Sequence, residues 1–163
     1  MPETVARTVT GREIVITRVY DAPRELVWKA WTDPEQLAGW WGARGWSTRR
    51  SSVVMDVRPG GTFRLTSVRD ADGREMDTEA VYQEVVEPER LAFAELPRDD
   101  CHEGAVGAVT FTDLGDGRTE MVFRTTMQTT DELRRTSRAG LESAFERLAE
   151  HLGLTGRKER GTE

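Results

Sequence analysis

Cysteine and histidine are almost absent from this sequence, with one Cys and two His among 163 residues. The lone Cys101 rules out a disulfide within the chain and suits a reducing compartment. His102 and His151 lie far apart, so together with one cysteine they offer no zinc spacing. His102 adjoins Cys101 in the polar loop PRDDCHEG, but neighbours in such a loop rarely face each other, and no G-x-S-x-G or cysteine-protease signature surrounds them. Asp99, Asp100, His102 and Glu103 read as a solvated acidic loop rather than a cation site. There is no glycine-rich phosphate loop, and DADGRE lacks the closing Glu and flanking helices of a calcium loop. No catalytic residue, metal or cofactor is therefore expected.

Long apolar runs are missing too. No stretch approaches the roughly 18 residues of a membrane span, and MPETVARTVTGR has no apolar leader core, so a cytoplasmic protein without membrane insertion is expected. Positive charge is outnumbered, with 23 Lys and Arg against 29 Asp and Glu, a net charge of −6. Basic residues occur as scattered pairs such as Arg49-Arg50 and Arg134-Arg135, which argues against nucleic acid as a partner. What remains, 37% hydrophobic and 32% charged, is an ordinary globular composition sized for one domain.

Periodicity gives the order of elements. Residues 14–20, IVITRVY, read as a strand. DAPRELVWKAWTD follows as a helix with Pro23 in its first turn and Leu26, Val27, Ala30 and Trp31 on one face. In DPEQLAGWWG, Asp33 as N-cap, Pro34 at the first position and Gln36 at capping-box spacing start a second short helix. A run of about six antiparallel strands comes next: SVVMDV, TFRLTSV, residues 76–86, RLAFAEL, AVGAVTFTDL and TEMVFRTTMQ. Pro59-Gly60-Gly61, Asp72-Gly73 and Gly115 to Gly117 are the turn signals between them. The chain then reads as one long helix, capped by Thr129 with Glu132, striped by Leu133, Ser137, Leu141, Ala144, Phe145, Leu148 and Leu152, and stopped by Gly153. His151 falls in its expected last turn, where positive charge is favourable. Strands in a run, with helices segregated from them, mean an α+β domain over 12–153, between a flexible N-terminus (1–11) and a frayed polar tail (154–163).

Particular residues at these joints resemble one family. Ala22-Pro23, Val27-Trp28, Thr32-Asp33-Pro34 and Trp40-Trp41 are similar to the opening of the START-like, pollen-allergen-like (SRPBCC) superfamily, in its activator of heat-shock-protein-90 ATPase homologue branch. Pro59-Gly60-Gly61 before Phe63, VYQEVVEPERLAF and FTDLGDGRTEM fit the same pattern. The resemblance implies a helix-grip fold: a curved antiparallel sheet wrapped around the C-terminal helix, with two short helices at one end. It also implies an elongated apolar cavity for a small hydrophobic ligand such as a lipid or polyketide, no shared catalytic set, and frequent homodimers. The branch name suggests a second role, a stress-response co-chaperone contacting a heat-shock ATPase. A third is a polyketide cyclase or aromatase using Tyr82, Glu95 and Thr78. The chain departs from the family where Leu141 stands in place of a common Trp and where MQTTDE replaces a His-x-Gly-like segment. Smaller groups near Gly140 would leave more space beside the helix.

The expected cavity lining follows strand alternation and the helix stripe: Met55, Phe63, Leu65, Met76, Thr78, Phe93, Phe111, Met121, Phe123, Leu141 and Phe145. Glu95 falls inward if Phe93 does, and would then need a partner such as Arg64 or a ligand hydroxyl; otherwise it meets water. GWWGARGW, residues 39–46, concentrates three of the five tryptophans on a glycine-rich turn. Trp40 and Trp41 cannot share a direction, so one is expected to plug the core while the other, with Trp46, lines the cavity mouth. Gly39, Gly42 and Gly45 would let that rim move.

Overall fold

The computed structural model of the chain describes residues 13–96, 105–127 and 130–156. Its strands are β1 (Glu13–Tyr20), β2 (Trp46–Thr48), β3 (Val54–Met55), β4 (Thr62–Arg69), β5 (Glu75–Val86), β6 (Arg90–Glu95), β7 (Ala105–Asp113) and β8 (Thr119–Met127). They form one antiparallel sheet in the order β1-β8-β7-β6-β5-β4-β2, with β3 also on β4. The sheet curls into a half-barrel around the long helix α3 (Asp131–Gly156), while α1 (Arg24–Thr32) and α2 (Pro34–Trp40) follow β1. This is the α+β helix-grip architecture.

Alternation decides which face is buried. In β8, Met121, Phe123 and Thr125 are buried while Arg124 is exposed. The first strand pairs with this last one along its whole length, setting Ile16 opposite Phe123 and Ile14 opposite Thr125. Three buried hydrogen bonds then fix the layers. Tyr20 donates its hydroxyl to the Phe145 carbonyl at 3.1 Å, tying β1 to α3, and burial pushes that phenol above its ordinary pKa. Thr119 Oγ1 donates to the Ala22 carbonyl at 2.8 Å. Trp40 Nε1 donates to the Ala30 carbonyl at 2.9 Å, satisfying an acceptor that the end of α1 leaves without a helical partner.

Several local expectations are corrected. Residues 50–52 form a 3-10 turn and only Val54–Met55 is strand, because Ser52 Oγ donates to the Arg49 carbonyl and accepts from Thr66 N–H. Trp46–Thr48 is an additional strand on β4. On α1 it is Trp28 rather than Leu26 that turns inward, packing edge-on to Phe111 at 6.0 Å. Asp33 does cap α2 through Glu35 N–H, but Gln36 points away from a capping box and meets His151 Nε2 at 3.2 Å. The N-cap of α3 is Thr130, whose Oγ1 accepts from Leu133 N–H; Thr129 lies outside the described residues, as do Cys101, His102 and the acidic loop around them. In the turn before β4, a Cβ on Gly61 would fall 1.9 Å from the Asp56 carbonyl oxygen, so no other residue fits there.

Helix α3 also runs past Gly153 to Gly156, which takes His151 out of the final turn and away from the strongest part of the helix dipole. Burial against α2 dominates instead and lowers the His151 pKa. A base held below its unfolded value stabilises the fold fully above about pH 6.5 and loses that contribution as pH falls through its folded value. The stability difference between wild type and His151→Gln should therefore shrink from about pH 7.5 to about pH 5.5. Urea unfolding at each pH measures it; a difference that stays constant or grows contradicts the placement of His151.

Candidate functional site

Trp31 is the hub of the interior. Its ring lies 5.0 Å from Trp40, 6.0 Å from Trp41, 6.1 Å from Phe145 and is stacked on Phe123 at 6.1 Å. Trp40, the last residue of α2, is fully buried. The next residue leaves the helix with ψ near 136°, so Trp41 swings towards the sheet and meets Phe63 edge-on at 6.0 Å. Gly42 and Gly45 then adopt φ of 101° and 94°, the left-handed region glycine tolerates, and return the chain into β2 at Trp46.

This rim is clamped. Arg147 on α3 donates through Nη1 to the carbonyls of Gly42 at 2.8 Å and Trp46 at 3.0 Å. Ser143 Oγ accepts from Arg44 N–H at 2.9 Å, and the Arg44 side chain pairs with Glu150. On the outer side, the Arg69 guanidinium lies 5.7 Å from the Trp46 ring centre and pairs with Asp72, holding that carboxyl down at about 2. The expected glycine-loosened gate is thus a turn tied to α3, with Gly39 inside α2 against His151.

Between this rim, the sheet and the N-terminal half of α3 lies a cavity of about 330 Å³. The sheet wall includes Met76, Thr78, Phe93, Glu95, Phe123 and Thr125. Trp41, Ala43 and Trp46 form the rim side, and Leu133, Ser137, Gly140 and Leu141 the helix side. Beneath Trp41 a second, water-sized recess of about 20 Å³ reaches Trp31, Phe63 and Tyr82, sharing Trp41, Phe93 and Glu95 with the main space. Among the described residues no cluster of His, Cys, Asp and Glu could hold a metal, and no helix is long and apolar enough to cross a membrane.

The model of the activator of Hsp90 ATPase homolog 1-like protein family matches residues 21–153. The chain belongs to this family. Solved structures agree at the level of the fold. A protein from Arthrobacter aurescens superposes with a TM-score of 0.78 at 22% identity, covering 89% of this chain and 88% of that one. One from Chromobacterium violaceum gives 0.76 at 24% identity over 86% and 96% of the two chains. An AHSA1-like protein from Aeromonas hydrophila gives 0.72 at 24% identity over 88% and 94%. No curated protein matches significantly.

Within this family fold the candidate residues separate into two groups. Trp41, Trp46, Met76, Thr78, Phe93, Glu95, Phe123 and Leu141 meet around the main cavity, and Phe63 reaches the recess. Trp40, Leu65, Phe111, Met121 and Phe145 do not line it: their side chains are consumed by core packing at 2% exposure or less. Met55, on the short β3, packs half-buried against that core. Arg64 is exposed and opposite Glu79 in register, so it is not the partner of Glu95.

Two further positions shape this region of the structure. Arg147 interrupts no pattern and gave no signal. Gly107 did have one, an isolated glycine inside the strand AVGAV. A Cβ there would fall 2.9 Å from Phe93 Cε1, so Gly107 is what allows that ring to lie back against β7. The adjacent tryptophans should respond differently to truncation. Trp40→Ala should cost about 3–5 kcal/mol in chemical unfolding. Trp41→Ala, at a partly exposed site, should cost less and weaken binding of a lipophilic dye; equal destabilisation with no change in dye affinity contradicts the rim role.

Proposed function

We propose that this family member binds a small hydrophobic molecule in the cavity between its sheet and the first half of α3, without transforming it. The supporting observation is the space itself: about 330 Å³, within the usual range of small-molecule sites. Its wall is largely apolar, with Glu95 the one charged side chain among the described lining residues. Met76 and Leu141 give it adaptable apolar contacts. Burial pushes the Tyr82 phenol up, so at neutral pH it is a neutral group able to hydrogen-bond a ligand. The alternative of contact with a heat-shock ATPase is carried by the family's name alone; an unchanged chaperone ATPase rate in the presence of this protein argues against it.

A Nile red fluorescence titration tests the binding reading, which expects saturable binding. Leu141→Trp places an indole on the helix wall and Gly107→Ala drives the Phe93 ring towards the cavity. Each should weaken dye binding by at least about tenfold, equivalent to about 1.4 kcal/mol. Unchanged affinity in both variants, or no saturable binding by the wild type, overturns the proposal.

A further inference from the structure

We propose that the molecule held in this cavity ends in a hydroxyl group, and that the recess beneath Trp41 receives that group. The inference rests on the ligand-binding reading above and adds the chemical class. The recess, about 20 Å³, has room for about one oxygen atom. It shares the walls Trp41, Phe93 and Glu95 with the main cavity, and we place the terminal atom of a ligand past those side chains while its body lies in the larger space.

Three polar side chains meet at this recess among apolar ones. Trp31 forms part of the wall, is 4% exposed, and its indole N–H is buried with no acceptor among the described residues. An unmade hydrogen bond of this kind is destabilising, and a ligand oxygen would relieve it. Tyr82 contributes a phenol that burial keeps protonated, able to donate or accept. Glu95 contributes a carboxyl group, whose two oxygens accept several hydrogen bonds.

A single atom that serves both Trp31 and Glu95 must accept from an N–H and donate to a carboxylate. A hydroxyl does both. A ketone or carboxylate has no proton for Glu95, and a second carboxyl beside it opposes ionisation of either. An ammonium has no lone pair for the indole. The apolar remainder of the ligand then faces Met76, Phe123 and Leu141 in the larger space.

Displacement of Nile red by three ten-carbon competitors tests the assignment: decan-1-ol, decan-2-one and decanoate. Decan-1-ol should compete at least about fivefold more tightly than the other two, the worth of one to two net hydrogen bonds. Glu95→Leu and Trp31→Phe should each bring that advantage to within about twofold, read as the ratio of the three competitors' affinities within the same variant. Trp31→Phe keeps an aromatic ring in the core, and Glu95→Leu provides the same readout should that core variant fold poorly. Saturable Nile red binding with the three competitors equal overturns the hydroxyl assignment and leaves ligand binding standing. An advantage that survives in both variants overturns the recess as its seat. Absence of saturable dye binding removes both proposals together.

Discussion

One helix has to cover the concave face of an eight-stranded sheet, and it does so unevenly. The second half of α3 carries Phe145, Leu148 and Leu152, all buried, and their volume fills the half-barrel against β1, β8 and the Trp31 cluster. The first half carries Ser137, Gly140 and Leu141, which are small or only partly buried. Apolar area scales with the driving force for burial, so the large residues weld one end of the layer shut. The small ones cannot reach across the same gap at the other end. The cavity is the geometric remainder of that asymmetry.

The rim follows from it. Because α3 does not fill its first half, the turn after α2 is carried over the opening, and it is anchored from the helix by Arg147 and Ser143. Adjacent tryptophans take opposite tasks because α2 ends between them. Trp40 still follows the helix and donates to Ala30; Trp41 is already extended and faces the space. The same indole-rich cluster that stabilises the closed end thereby supplies the inner wall of the open one.

Most of the architecture was legible in the sequence because it rests on periodicity. Alternation in TEMVFRTTMQ and the stripe from Leu141 to Leu152 placed β8 and α3 correctly, and the strand run with segregated helices gave the α+β class. Boundaries were missed where a side chain overrode pattern, as with Ser52 turning residues 50–52 into a 3-10 turn and the helix continuing through Gly153. The site was harder to read for a physical reason. A search for large inward apolar residues finds what fills space, so Leu65, Phe111, Met121 and Phe145 proved to be core. Empty space is bounded by what is small, and Ala43, Ala105 and Ser137 carry no strong signal in a single sequence. Arg147 looked like any solvated charge until its carbonyl partners were in place.

If the space beside α3 is a ligand site distinct from the packed core next to it, the two regions must respond differently to an added ligand. Methionine methyl groups report on both at once, since Met76 lines the cavity while Met121 is fully buried behind it. In a methyl NMR titration of the methionine-labelled protein with decan-1-ol, the Met76 resonance should move to saturation and that of Met121 should stay nearly fixed. A Met76 signal that does not respond, or one that moves no more than Met121, would contradict the account.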